Sequence, residues 1–539
     1  MHMTTLLYLA GLFRKHLCAL WLFLCGGTVD VVLALLIVWL SKRLIDVASG
    51  SVAGELWPLV GGLGACFLLS IGIRNWLSLY TVRKQTAIRN GLAGYFFSHV
   101  IRAEWSSIRV FHSGEIMSRA DTDIEDVTRL FTYTFPQFAV TFLKLSGAFC
   151  FLFLMDRWLA CVLAGLIPVV LLFSKFYFRK MRYLSREQKE ARSLARQFYQ
   201  ECIQHIETAK AFRLERMFER RLLGYQEKEA GVVGRQSFFS FYSNMVLSVG
   251  FAAGYLITFS WSVFQLEAGA ITFGTMTAFL QLVNMIQGPA SGLVSLVPGF
   301  VSSYTAAERL RELEQVEREV CGETVYMDKP EYLQFKDVSF SYSPHLSLME
   351  HVDLLFEPGK VYALAGKTGC GKTTLFRLML GFVRPQKGTI VLSDGKRQVE
   401  TSPCTRVNFC YVPQHHFLVS GTIRHNLQLV RPEVTEEELC SVLRLVAGEF
   451  VFEQPDGLDT RLNEAGGGLS GGQVQRLAIA RALLCPGKIL LLDEITSALD
   501  KDTEYEIIST LKKNVRDRII IIVSHKPEVI AACDRVYYF

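Results

Sequence analysis

Charge is scarce in this sequence. Of its 539 residues only 20% are Asp, Glu, Lys or Arg, fewer than the roughly 25% of a soluble globular chain. Its thirteen cysteines include no C-x-x-C pair and no Cys/His cluster. That argues against a zinc site and against a disulfide framework, and leaves reduced or membrane-buried thiols as the expectation. There is no internal repeat and no low-complexity tract. No cleavable leader is expected either, because the first apolar run is long enough to stay in a bilayer.

Apolar length is what the chain has in excess: half of its residues are hydrophobic. The excess is concentrated before about residue 310. Six runs there reach the roughly 20 residues that a helix needs to cross a hydrocarbon core: Leu17–Leu40, Leu56–Tyr80, Phe135–Met155, Trp158–Phe178, Met245–Phe264 and Phe273–Val297. One such run would suit a buried soluble helix; six in one half point to a membrane domain. Lys and Arg crowd segments 83–129 and 175–235, whereas "MDRW" at 155–158 and "QLEAGAI" at 265–271 carry little positive charge. The positive-inside rule then puts both long segments, the N-terminus and everything after the sixth run in the cytosol.

The long inner segments keep a helical apolar period, so the spans are expected to run on as helices into the cytosol. Each needs a reversal. "FHSGEIMSR" (Phe111–Arg119) offers Ser113-Gly114 for the first turn, and "IETAKAFRLE" (Ile206–Glu215) is the second candidate. Such a hairpin is either solvated or in contact with the downstream domain. The charged stretch "AAERLRELEQVEREV" (Ala306–Val320) joins the halves. The expected division is a membrane domain over 1–315, a linker over 316–330 and a second domain over 331–539.

"GKTGCGKTT" (Gly366–Thr374) fits G-x-x-x-x-G-K-[ST]. It follows the apolar strand "KVYALA" and opens the helix "TTLFRLML", the context the motif requires. In such a loop Gly366, Lys367, Thr368, Gly369, Cys370, Gly371 and Thr374 present backbone N–H groups and a helix N-terminus to a polyphosphate. Lys372 is expected to reach the β- and γ-phosphates, and Thr373 to bind Mg²⁺. "KILLLDE" (Lys488–Glu494) is an apolar strand ending in two carboxylates. Asp493 would hold Mg²⁺ through water, and Glu494 would orient or deprotonate the attacking water. "GGGLSGGQ" (Gly466–Gln473) sets five glycines before a helix, which is costly unless backbone must approach a ligand closely.

Together these motifs resemble ATP-binding cassette (ABC) proteins, and the resemblance covers the whole chain. Six spans ahead of one cassette look like a half-size ABC transporter of the exporter type. The implied architecture is an all-α six-helix transmembrane domain of the type IV exporter fold, plus an α/β P-loop NTPase cassette with a helical signature subdomain. By the same resemblance, Tyr342 in "VSFSYS" stacks on adenine, and Gln414 in "YVPQHH" senses Mg²⁺. Ser470, Gly471, Gly472 and Gln473 form the signature facing a second cassette's ATP. Asp500 in "SALD" crosses the dimer interface, and His525 after "IIIIV" contacts the γ-phosphate. "SGTIRHNL" (Ser420–Leu427) is similar to exporter cassettes in particular, and Glu464 sits where exporters touch the membrane-domain loops. The sequence closes at "DRVYYF", where related cassettes continue through a last strand and helix; the catalytic motifs all precede that point.

The resemblance implies an ATPase with ATP and Mg²⁺ as cofactors, driving alternating access in a dimer. Since the motifs are intact, a homodimer is favoured over a heterodimer. Export of an amphipathic compound, lipid or peptide is expected. The alternatives are an exporter-fold importer of a metal chelate and an ATP-gated channel or regulatory subunit. A nucleic-acid partner is not expected, and the expected location is a bacterial plasma membrane with the cassette in the cytoplasm. Polar residues inside the spans are the clues to cargo. An ionised side chain at mid-membrane costs roughly 2.5–3.5 kcal/mol on insertion scales, so Asp30 and Arg74 either pair or serve a substrate. Thr277, Gln281, Asn284, Ser291 and Ser295 lie at helical spacing in the sixth span, as inter-helix packing or as a wall of the path.

Overall fold

A computed structural model describes the backbone of residues 3–539, apart from 112, 321, 343–347, 368, 415–417, 464–466 and 495–500. Inside the described helices it omits the side chains at 3–4, 6, 113, 163, 166–179, 182, 247, 290–291, 294–295, 297 and 501. The chain forms two compact units: Met1–Ser98 with Ser113–Gln315, and His99–His112 with Val316–Phe539.

The first unit is built on six long helices: α1 (Leu17–Ala48), α2 (Leu56–Ile101), α3 (Phe135–Met155), α4 (Arg157–Gln204), α5 (Glu215–Glu267) and α6 (Phe273–Glu314). Each begins within a few residues of an apolar run except α5, which opens in the charged inner segment. Helices α2, α4 and α5 hold 46, 48 and 53 residues. At 1.5 Å per residue they are about 70–80 Å long, more than twice a hydrocarbon core of about 30 Å, as expected for spans that continue beyond the membrane. Among the described residues four helical stretches are long and apolar enough to cross a membrane: Arg14–Ala48, Leu56–Ile101, Gly114–Met155 and Glu215–Glu267. The fourth run, Trp158–Phe178, lies in α4, and most of its side chains fall outside the described residues. The sixth opens α6, which keeps Pro289 and Pro298 within the helix.

Small residues let these helices meet. The Gly274 N–H donates to buried Asp46 Oδ1 at 3.0 Å, and a Cβ at 274 would lie 2.3 Å from the Lys42 carbonyl. A Cβ at Gly27 would lie 2.1 Å from Val140 Cγ2, so this glycine of α1 makes room for a side chain of α3. Without a hydrophobic driving force between helices in lipid, such close backbone approach is a main source of packing energy. In "MDRW", Asp156 accepts from the Leu159 N–H at 3.0 Å and caps α4; its other oxygen accepts from the Trp261 indole at 2.9 Å, tying α5 to the same corner.

The first reversal differs from the sequence expectation. Ser113 and Gly114 are not a turn: they open the helix Ser113–Ser118. The chain leaves α2 at Ile101 and carries the short helix Trp105–Ile108 before it re-enters the bundle. Gly114 has open space around it, so nothing forces a helical glycine there to bend. The second reversal falls within "IETAKAFRLE": helix Ile206–Ala211 stops, and Arg213 takes the left-handed φ of 52° that turns the chain into α5.

The second unit contains β1 (Tyr332–Phe340), β2 (Met349–Phe356), β3 (Val361–Ala365), β4 (Lys387–Ser393), β5 (Gln398–Glu400), β6 (Phe409–Val412), β7 (Gly421–Thr422), β8 (Arg461–Leu462), β9 (Ile489–Asp493), β10 (Ile519–Val523) and β11 (Arg535–Tyr538). Strands β2-β1-β4-β5 form an antiparallel sheet, β11-β3-β10-β9-β6 a parallel one, and β7 pairs with β8. The three inner parallel strands, β3, β10 and β9, are buried along their whole length and almost wholly apolar, because both faces are covered. Leu490, Leu492, Ile520 and Ile522 face one core with Leu477 and Ile479. The alternate residues, Ile489, Leu491, Ile519 and Ile521, face the other with Leu375 and Phe376. Two further helices matter for the site: α7 (Lys372–Met379), after β3, and α8 (Gly471–Leu484).

Candidate functional site

The register of the parallel sheet brings the chemistry together. Asp493 at the end of β9 lies opposite Val523 of β10, and Val523 opposite Leu364 of β3. The strand ends thus stand at one level, the edge where open α/β sheets bind ligands. The loop from β3 to α7 rises there. Gly369 and Gly371 take left-handed φ of 88° and 101°, and at Gly366 a Cβ would lie 2.5 Å from the Phe539 carbonyl. These three positions need glycine.

Gly371 is the N-cap of α7 and offers no side-chain cap, so no capping side chain satisfies the N–H groups of the first turn. That is what an anion at a helix N-terminus requires. Lys372 is 6% exposed. Its ammonium donates to the carbonyls of Gly366 at 2.9 Å and Lys367 at 3.0 Å, and Cys370 Sγ lies at 3.7 Å. The cation is therefore held inside the loop that would cradle a phosphate.

Thr373 Oγ1 donates to Asp493 Oδ1 at 3.3 Å, and the Tyr411 hydroxyl donates to Oδ2, also at 3.3 Å. Burial pushes the Asp493 carboxyl above its ordinary range; the bonds from Thr373 and Tyr411 act the other way. A buried carboxylate beside a hydroxyl is a hard oxygen donor set that suits Mg²⁺. Tyr411, at the end of β6, was not singled out from sequence. Its hydroxyl is driven to a higher pKa by burial and by the charge of Asp493, so it remains a donor.

Glu494 leaves β9 with φ of 48°, a left-handed conformation that costs a non-glycine residue about 1–2 kcal/mol. Its N–H is fixed to the Val523 carbonyl at 3.1 Å. The exposed carboxamide of Gln414 donates to Glu494 Oε2 at 2.7 Å. Tyr342 is joined to α7: its hydroxyl lies 3.3 Å from Thr374 Oγ1 and accepts from Arg377 Nη1 at 2.9 Å. Arg377 was also missed, although its i+3 spacing from Thr374 puts both on one helix face.

The remaining expectations divide. Ser470 and Gln473 stand at the start of α8, where they form a reciprocal capping box: Ser470 Oγ accepts from the Gln473 N–H at 3.3 Å, and Gln473 Oε1 from the Ser470 N–H at 2.9 Å. The S-x-x-Q spacing was legible as such a cap. His525 is exposed just after β10. Among the described residues no hydrogen bond joins Ser470, Gln473 or His525 to the P-loop. Thr368, Glu464, Gly466 and Asp500 lie outside the described residues.

In the first unit, Arg74 Nε lies 3.0 Å from Asp30 Oδ1, and Ser70 donates to the same oxygen at 2.7 Å. The two intramembrane charges therefore pair. On α6, Phe279, Leu282 and Val283 are buried while Thr277, Gln281 and Asn284 are not. These polar residues share the open side of the helix; the side chains of Ser291 and Ser295 are outside the described set.

Two family models match the chain: the ABC transporter transmembrane region over residues 20–290, and the ABC transporter model over residues 349–497. An uncharacterized ABC transporter ATP-binding protein of Sinorhizobium fredii, y4gM, is 29% identical over 447 residues, which is 82% of this chain and 76% of that protein. The uncharacterized ABC transporter ATP-binding protein YfiC of Bacillus subtilis is 26% identical over 508 residues, 92% of this chain and 83% of its own. The ATP-bound structure of a bacterial Atm1-family ABC exporter has the same fold, with a TM-score of 0.80 at 20% identity over 98% of this chain and 93% of that one. A membrane region and an ATP-binding cassette fused in this order make the chain a member of the ABC transporter family, with the fold of an ABC exporter and an ATPase coupled to transport.

Proposed function

We propose that two copies of this chain form a homodimeric exporter in a bacterial plasma membrane, with both cassettes in the cytoplasm, moving an amphipathic compound, lipid or peptide outward by alternating access. The observation that carries this reading is the convergence of Thr373, Asp493, Glu494 and Gln414 at the strand ends beside the P-loop. An intact hydrolytic set is what a transporter that turns over needs and what a gated or regulatory subunit does not. The fold shared with an exporter supports the outward direction.

In this reading Lys372 and the N–H groups of Gly366, Lys367, Thr368, Gly369, Cys370, Gly371, Thr373 and Thr374 hold the phosphates, and Tyr342 stacks on the adenine. Thr373, Gln414 and Asp493 hold Mg²⁺, which when bound neutralises phosphate charge. Glu494 orients and deprotonates the attacking water, and Gln414 keeps its carboxylate aimed. His525 supports the γ-phosphate. Ser470, Gly471, Gly472 and Gln473 of one copy close on the ATP held by the other, and Asp500 lies at the shared interface. ATP then favours the closed dimer because it binds that state better, and hydrolysis removes the preference.

The head-to-tail arrangement has a direct test. Lys372→Ala damages the phosphate cradle. Ser470→Asp keeps a good N-cap but sets a negative charge against the partner's ATP. Each variant alone forms dimers with two broken sites and is inactive. A mixed dimer has one site with both defects and one intact site. ATPase activity regained on co-expression supports the reading; no activity in a verified mixed dimer contradicts it.

A further inference from the structure

The segment His99–His112 belongs to the same compact unit as the cassette. Backbone bonds hold it there: the Glu104 N–H donates to the Glu317 carbonyl at 2.8 Å, and the Glu319 N–H to the Arg102 carbonyl at 2.9 Å. Its helical turn, Trp105–Ile108, sets the Trp105 ring 5.8 Å from Phe382, with the Arg377 guanidinium 4.9 Å above it. Arg109 then lies between two aromatic faces, 5.3 Å from the Trp105 centroid and 5.8 Å from that of Tyr342. Beside these rings is a cavity of about 280 Å³ lined by Glu104, Trp105, Arg109, Tyr342 and Arg384.

The geometry bears on how Tyr342 is held. Its hydroxyl is tethered to Thr374 and Arg377. A phenol oxygen lies on the axis about which the ring rotates, so those bonds fix the axis and leave the rotation free. Rotation is restrained by what touches the ring itself. Phe340 meets it edge-on at 4.9 Å, and the Arg109 guanidinium covers one face, an attraction of the cation–π kind. The ring still remains 48% exposed, which leaves room for a stacked base.

We propose that Arg109 is a positioning residue for base binding: it fixes the rotation of Tyr342 from one face and leaves the other for adenine, so that ATP affinity depends on the Trp105–Arg109 segment being seated. This rests on the reading of Tyr342 as the adenine platform. The effect belongs to the base alone, because Lys372 and the P-loop hold the phosphates without Arg109.

The test uses the full chain in lipid nanodiscs, with ATPase kinetics and competition by inorganic tripolyphosphate, which has no base. Arg109→Ala raises KM for ATP about three- to tenfold and leaves kcat at saturating ATP and the tripolyphosphate inhibition constant unchanged. Arg109→Lys, which keeps the cation, restores most of the loss. Tyr342→Ala raises KM by at least as much, and the double variant is no worse than Tyr342→Ala alone. If Tyr342→Ala leaves KM unchanged, the platform reading fails and the inference with it. If Tyr342→Ala weakens ATP binding but Arg109→Ala does not, or if the two losses multiply, the platform stands and the role of Arg109 is overturned. A tripolyphosphate constant that shifts with KM also overturns it, since the defect would then lie in the phosphate cradle.

Discussion

Gln414 donates its carboxamide to Glu494 Oε2 across 2.7 Å, a contact between residues 80 positions apart. One leaves the end of β6 and the other the end of β9, and Glu494 holds a left-handed backbone to make the contact. Strain at a carboxylate in this position is expected where geometry is kept for chemistry at a cost in stability.

Relieving that strain separates the two. Glu494→Gly fits φ of 48° without a Cβ penalty and is expected to abolish hydrolysis while raising the cassette's Tm by about 2–4 °C. Thermal unfolding followed beside ATPase activity checks this. A lower Tm would mean that the Gln414 contact outweighs the backbone strain.

Asp493 gives a pH-dependent signature. Its folded pKa is raised, chiefly by burial. A raised carboxyl pKa contributes stability at acid pH, and that stability is lost as pH rises through the folded value. At neutral pH the bare carboxylate is therefore a cost. Asp493→Asn is expected to raise Tm at neutral pH without metal, with a gain that shrinks on acidification. Millimolar Mg²⁺ should stabilise the parent chain and not the variant. Equal Mg²⁺ stabilisation of both would remove Asp493 from the metal site.

The Asp30–Arg74 pair, with Ser70 on the same oxygen, reads as structural. Either neutralising substitution alone, Asp30→Asn or Arg74→Gln, is expected to destabilise the detergent-solubilised chain. A double-mutant cycle should give a coupling of about 0.5–1.5 kcal/mol, with basal ATPase intact. Absence of coupling, together with lost transport, would return the pair to the cargo path.

Gln281 and Asn284 stand on the side of α6 away from buried Phe279 and Leu282. If that side lines the path, Gln281→Ala with Asn284→Ala changes stimulation of ATPase by candidate amphipathic compounds, with basal turnover unaltered. Unchanged stimulation and unchanged transport would leave the polar face as helix packing.

The legible parts were those with a period or a fixed spacing. Apolar length marked where the long helices run, and the G-x-x-x-x-G-K-T and "LLLDE" stretches marked one strand edge, because a P-loop and a strand-end carboxylate each constrain consecutive residues. Contacts between distant residues were not legible. Tyr411 reaches Asp493 only through the register of β6 on β9. Arg109 meets Tyr342 only because the chain segment His99–His112 packs with residues more than two hundred positions later. The first reversal was misplaced because Ser-Gly is a turn signal that tertiary context can override: here Ser113 and Gly114 begin a helix. The capping role of Ser470 and Gln473 was in the sequence, behind the glycines that drew attention to the same stretch.

The proposed function stands or falls with a complete, hydrolysing dimer made by this chain by itself, with Glu494 as the catalytic carboxylate. The most direct measurement is steady-state ATPase activity of the purified chain alone in lipid nanodiscs, beside Glu494→Gln, with ATP binding measured on both. Sustained hydrolysis by the parent chain, a loss of about 10²-fold or more in the variant, and ATP bound by each are expected. ATP bound without hydrolysis by the parent chain, or hydrolysis that survives Glu494→Gln, would contradict the proposed function.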